Sequence, residues 1–98
     1  MNEITQKELK EWMASDKEFQ LIDVRERSEF DAFNIGAELM PLSEFTSHID
    51  KIKKDVPVVV HCRSGKRSAD AIHYLNTNFG YTNLLNLTNG VLKWDDPE

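Results

Sequence analysis

Val56-Pro57-Val58-Val59-Val60 runs straight into His61-Cys62-Arg63-Ser64-Gly65-Lys66-Arg67-Ser68, and Ala69, Ile72 and Leu75 follow at helical spacing. Three consecutive valines with no polar alternation predict a strand buried on both faces, as in the middle of a parallel sheet. Pro57 is tolerated only near the start of such a strand. The apolar spacing after Ser68 predicts a helix that ends near Asn78, with Gly80 as its stop. Cys62 therefore stands at the carboxyl end of the strand, where open parallel sheets bind their ligands.

The flanks repeat the alternation. Upstream, Thr5 and Glu8 have the spacing of a capping box, and Leu9, Trp12 and Met13 continue it as a helix over residues 6–14. Phe19 to Val24 predicts a buried strand, with Asp23 near its end. Ser28 is placed to cap a short helix carrying Phe30 and Phe33. Ala37 to Pro41 predicts a further strand, and Ser43 is placed to cap a helix carrying Phe45, Ile49 and Ile52. Downstream, Thr82 to Leu87 predicts the last strand, and Gly90 to Trp94 a turn of helix. Strands alternating with helices imply a small α/β domain with a central, mainly parallel sheet and helices on both faces.

The chain has 98 residues, so a single domain over 1–98 is expected, with no linker, repeat or low-complexity segment. A composition of 40% apolar and 30% charged residues is that of a globular chain. No apolar run is long enough to span a membrane, and MNEITQKELKEW has no signal-peptide core, so a cytoplasmic protein is expected. A net charge of −5 argues against nucleic acid as a partner. The acidic stretch Asp95-Asp96-Pro97-Glu98 reads as a solvated tail.

Cys62 is the one cysteine, which excludes an internal disulfide and a cysteine-rich metal site; no metal and no cofactor are expected. Its loop has a different character from the rest of the acidic chain. Gly65 permits a positive φ, and a tight strand-to-helix loop turns successive N–H groups inward as an anion-binding nest. Arg63, Lys66 and Arg67 add positive charge, with Arg67 expected to weigh more than Lys66 in attracting an anion. These features favour thiolate over thiol; comparable settings bring a cysteine from about 8.5 down to about 3.5–7.5.

Four motifs, in order, carry a resemblance. They are Leu21-Ile22-Asp23-Val24-Arg25 with Glu29-Phe30, Ile35-Gly36-Ala37 through Pro41, Cys62 to Ser68, and Gly90-Val91 with Trp94. With these the chain resembles the rhodanese homology domain, in the form of a single-domain sulfurtransferase. The resemblance implies a double displacement. Cys62 takes a sulfane sulfur from a donor, becomes a persulfide, and passes the sulfur to an acceptor. Arg63, Ser64, Gly65, Lys66, Arg67 and Ser68 would bind the substrate, through the loop amides and the three cations. The donor would be a small anion such as thiosulfate, or a persulfidated protein. With no second cysteine in the chain, the acceptor would be an external thiol or cyanide.

The chain departs from the family pattern at Asn34, at the direct Ile35-Gly36 junction, and at Asn89. These departures bear on turn geometry and leave the Cys62 loop untouched. Asp23 and Arg25 are expected on the same rim as Cys62, as structural support of the loop without a catalytic part. His61 is expected to point away from the thiol, because neighbouring strand residues face opposite sides. His48 and His73 read as helix-surface residues, and Trp12 and Trp94 as packing residues. Two other functions fit the same fold, a non-catalytic rhodanese-like binding module and a cysteine-dependent phosphatase. Phosphatases of that type place five residues between cysteine and arginine. Here four residues, Arg63 to Lys66, separate Cys62 from Arg67.

Overall fold

The computed structural model of the protein describes residues 1–95, so most of the expected acidic tail, Asp96-Pro97-Glu98, lies outside the described residues. Its elements are β1 (Glu3–Ile4), α1 (Gln6–Met13), β2 (Gln20–Asp23), α2 (Arg27–Ala32), β3 (Glu38–Leu39), β4 (Val58–His61), α3 (Lys66–Phe79) and β5 (Leu84–Leu87). The five strands form one sheet in the order β1-β5-β4-β2-β3, with every pair parallel.

β4 is central because it can be buried on both sides, and all four of its residues are. Val58, Val60 and Cys62 face α3, joining Ile22, Ala71, Ile72 and Leu75 in one core. Val59 faces the other way and packs with Leu9 of α1, Ile4, Leu87 and Val91, flanked by Trp12 and Trp94. Helices thus cover both faces of the sheet, and the two tryptophans pack as expected. Among the described residues no helix is long and apolar enough to cross a membrane.

The strand order also locates the site. The chain leaves β2 toward β3 on one side, and leaves β4 through α3 toward β5 on the other. The crevice between the carboxyl ends of β2 and β4 is the switch point of the sheet, the usual ligand position in such folds. Asp23 and His61 are register partners there, and Cys62 follows at once.

Several local expectations are corrected. α2 is capped by Glu26, not Ser28; Glu26 and Glu29 form a reciprocal capping box. The segment after Ser43 is not an α-helix but 3₁₀ turns over Leu42–Ser47 and Ile49–Lys51, broken at Glu44, whose φ is −125°. The buried Gln20 amide explains the tighter path. It donates to Lys51 O at 2.9 Å and accepts from Lys53 N–H at 2.8 Å, tying the segment to the sheet. His48 lies in these turns, and the exposed His73 on α3. The strand expected over Ala37 to Pro41 shrinks to Glu38–Leu39. Thr88 to Asp95 form consecutive turns where a helical turn was expected.

The departures from the family pattern close their turns by other means. Asn34 Oδ1 accepts from Gly36 N–H at 3.0 Å, and Asn34 Nδ2 donates to Phe30 O at 3.1 Å. Asn89 has a φ of 63°, a left-handed conformation that asparagine tolerates better than most residues.

Candidate active site

The loop from Cys62 to Gly65 is short enough that the first turn of α3 folds back over the strand end. The first N–H groups of a helix have no partner inside the helix. In α3 no side chain caps them, and Gly65, the N-cap residue at a φ of 107°, turns its own N–H toward Cys62. Gly65 N–H donates to Sγ at 3.1 Å, and the Ser68 hydroxyl oxygen lies 3.4 Å from Sγ. Cys62 is 1% exposed, and burial alone pushes a thiol up. The Ser68 hydroxyl and the amides of Ser68, Gly65 and Ser64 outweigh that burial and hold Cys62 below the ordinary thiol value.

Two features behind the loop keep this shape. The turn after β5 presses on the loop from the α1 side. Val91 N–H donates to Arg63 O at 3.1 Å, and Leu92 N–H to the same oxygen at 3.2 Å. Gly90 is required at this contact: its φ is 52°, and a Cβ there would collide with Cys62 O and lie 2.5 Å from Arg63 O. Gln6 of α1 fastens the turn in its place, donating to Gly90 O at 2.8 Å and Leu92 O at 2.9 Å.

The second feature is buried and ionic. Arg25 and Asp23 are both buried, with Nη2 to Oδ2 at 2.8 Å and Nε to Oδ1 at 3.0 Å. The same guanidinium donates to Phe33 O at 2.7 Å, fixing the end of α2. α2 in turn presents Glu29, which grips Arg67 of α3 through two bonds of 2.7 and 2.8 Å. The Arg67 hydrogen bonds, opposed by partial burial, hold the Glu29 carboxyl down at about 2. Asp23 and Arg25 therefore reach the loop indirectly, through α2 and Glu29. Arg67 is half-buried and engaged, whereas Arg63 and Lys66 are exposed and without a salt-bridge partner among the described residues.

His61 has no contact with Sγ. Its ring is fully buried, with Nδ1 3.2 Å from Cys62 O and Nε2 3.6 Å from Asp23 Oδ2. Burial lowers its pKa against the pull of Asp23, so the ring is neutral near pH 7.

Three contributors were not singled out from sequence. Glu29 entered only within a motif, and its partner Arg67 is 38 residues away. Gln6 read as an ordinary helix residue. Asn86 is 5% exposed in β5, with Nδ2 donating to Gly65 O at 3.0 Å and Oδ1 only 2.5 Å from Ser68 Oγ. A signal for it exists: a polar residue at the α3-facing position of Leu84-Leu85-Asn86-Leu87 is buried, and buried amides are hydrogen-bonded.

This geometry agrees with what the chain is similar to. The model of the Rhodanese-like domain family matches residues 5–97, and the chain belongs to that family. It is 34% identical over 100 residues to the sulfurtransferase of Allochromatium vinosum, covering 96% of this chain and 88% of that protein. It is 35% identical over 94 residues to the probable adenylyltransferase/sulfurtransferase MoeZ of Mycobacterium tuberculosis; the match takes in 93% of this chain and 24% of that protein. The chain thus spans about a quarter of that relative's length. Among solved structures, a rhodanese-like domain protein from Staphylococcus aureus superposes with a TM-score of 0.86 at 29% identity, over 96% of this chain and 91% of that one.

Proposed function

We propose that this protein is a sulfurtransferase that carries sulfane sulfur as a persulfide on Cys62. The observation that carries the reading is the ring of neutral donors closed on a buried sulfur, with Gly65 N–H at 3.1 Å. Such a ring stabilises an anion on the thiolate and equally on the outer sulfur of a persulfide. With thiosulfate as donor, the Cys62 thiolate attacks the outer sulfur. The S–S bond of thiosulfate breaks, sulfite leaves with the electron pair, and Cys62 holds S–S⁻. Cyanide or an external thiolate then attacks that terminal sulfur, and the electron pair of the breaking bond returns to Cys62 as thiolate. A persulfidated protein can serve as donor by the same exchange.

Arg63 and Lys66 are the cations free to draw an anionic donor to the mouth. Arg67 holds Glu29, and with Asp23 and Arg25 it supports the loop. The site as read needs no cofactor. A lone nucleophilic thiol suits a reducing compartment, and the cytoplasm is the setting we propose. The phosphatase reading is weaker on two counts: the loop is one residue short of the phosphatase spacing, and Arg67, the residue that would grip phosphate, is engaged by Glu29.

The test is intact mass spectrometry after mixing with thiosulfate. The wild type is expected to gain one sulfur atom, and Cys62→Ser to gain none and to transfer none to cyanide. Sulfur transfer that persists in Cys62→Ser would end the proposal, since the chain has no other thiol. Aryl-phosphate hydrolysis that depends on Cys62, with no sulfur adduct, would replace it by the phosphatase. A wild type with neither activity would leave the binding module.

A further inference from the structure

The hydrogen bonds beneath Cys62 do not all fit one proton. Ser68 Oγ lies 2.5 Å from Asn86 Oδ1, 3.2 Å from Gly65 O and 3.4 Å from Cys62 Sγ, yet a hydroxyl has a single hydrogen to donate. Which contact takes it follows from Asn86. Gly65 O can only accept, so the amide atom facing it at 3.0 Å is Nδ2, and the atom left facing Ser68 is Oδ1. Oδ1 also only accepts, and its contact is the shortest of the three. The Ser68 proton therefore points at Asn86, and a lone pair of Oγ faces the sulfur. That arrangement suits a thiol, whose S–H can donate to Oγ. It does not suit an anionic sulfur, which needs the hydroxyl to donate.

We propose that Asn86 is a positioning residue for Cys62: it holds the Ser68 proton away from the sulfur while Cys62 is a thiol, and releases it when the sulfur becomes an anion. The change is one rotation about the Ser68 Cβ–Oγ bond. It breaks the bond to Oδ1 and makes one to Sγ; the thiol proton itself leaves to water. Asn86 thereby opposes ionisation of Cys62, against the amides of the loop, which favour it. Its second bond, to Gly65 O, is not essential for holding the loop, because Gly65 O also accepts from Ala69 N–H at 3.1 Å inside α3. The inference rests on Cys62 working as an anion, as the proposed transfer requires.

The experiment reads ionisation directly and needs no sulfur transfer, so its failure is separate from a failure of the sulfurtransferase reading. Cys62 is the only thiol, so ultraviolet thiolate absorbance and the pH profile of iodoacetamide alkylation both report on it alone. The surrounding charged and titratable groups are Asp23, Arg25, His61, the Glu29–Arg67 pair, Arg63 and Lys66. All are common to the variants compared. Asn86→Ala is expected to move the alkylation profile down by about half a pH unit, which makes the reaction roughly three-fold faster below the midpoint. Ser68→Ala is expected to move it up, and Asn86→Ala added to Ser68→Ala to change nothing further. A profile that rises or stays in Asn86→Ala overturns the proposal. So does an equal fall with and without Ser68. The wild type supplies a measurement that no folding defect can spoil. The Asn86 side-chain ¹³Cγ resonance is expected to titrate with the Cys62 midpoint, and to lose more than half of that shift in Ser68→Ala. A ¹³Cγ resonance indifferent to Cys62 ionisation would likewise overturn it.

Discussion

At the floor of the site Cys62, Ser68 and Asn86 are all buried, and the sulfur is met by backbone amides and a hydroxyl. At its mouth Arg63 and Lys66 are exposed and charged, while Arg67 is half-buried against Glu29. The two regions are built on different physics. Neutral dipoles act only at contact distance, so the floor depends on backbone shape to a few tenths of an ångström. Charges act over several ångströms in water and are screened by salt, so the mouth tolerates error and responds by degrees. Substitutions that reshape the floor should be severe and independent of salt; those at the mouth should be graded and salt-sensitive.

The largest effect is expected where the floor has no room. Gly90→Ala adds a Cβ that collides with Cys62 O, at a φ of 52°. Overpacking and left-handed strain together cost about 2–5 kcal/mol. The urea midpoint is expected to fall accordingly, and persulfide formation to fail even where the variant is folded. Gly65→Ala is the milder companion. Its Cβ would meet only ordinary contacts, the nearest being Leu87 O at 3.6 Å, so the strain of a φ of 107° remains, worth about 1–2 kcal/mol. If Gly90→Ala kept the wild-type midpoint and activity, the floor would be far softer than the contacts imply.

The second prediction concerns the Glu29–Arg67 pair at the mouth, which ties α2 to α3. Glu29 is held at about 2 in the folded protein, below its ordinary value of 4.5. A depressed carboxyl contributes stability that is fully present above the unfolded value and is lost as pH falls through the folded one. Both side chains are about one-third exposed, so screening limits the pair to about 1 kcal/mol. Arg67→Ala is therefore expected to lower the urea midpoint slightly at pH 6, with the gap to wild type narrowing at pH 3. An equal gap at both pH values would show that the guanidinium acts by packing alone.

What could be read from sequence divides along the same line. The floor's central piece is local in the chain: Val58-Val59-Val60, Cys62, Gly65 and the first turn of α3 are contiguous, and their periodicity and turn chemistry declare them. Thr5 and Glu8 are local in the same way, and both bonds of their capping box form. The parts not legible arrive from a distance. β1 is two residues long and is a strand only because it pairs with β5. The 3₁₀ turns after Ser43 have helical apolar spacing, yet Gln20 from β2 and the Tyr81 hydroxyl, donating to Ile52 O at 2.9 Å, hold them to another path. The three cations of the loop look alike in sequence. Only the ion pair between Glu29 of α2 and Arg67 of α3 shows that Arg67 is engaged, while Lys66 has no such partner among the described residues.

That distinction gives the smallest expected effect and the finest test of the comparison. From sequence Arg67 was expected to draw an anionic donor more strongly than Lys66; the Glu29 pair reverses the expected weights. Lys66 has no ion-pair partner among the described residues, and its charge at the mouth is worth on the order of 1 kcal/mol at about 4 Å in water. Lys66→Ala is expected to raise KM for thiosulfate about five-fold at low ionic strength, with kcat little changed. The effect should fade at high salt, as the screening length shortens. Arg67→Ala also raises KM, but for a different reason: it leaves the Glu29 carboxylate uncovered beside the mouth, where it repels the donor. Adding Glu29→Gln to Arg67→Ala removes that charge and should bring KM back toward the wild type, because a neutral pair has been exchanged for a neutral site. If the double variant stayed as impaired as Arg67→Ala alone, Arg67 would be binding the donor itself, and the division between an engaged and a free cation would fail.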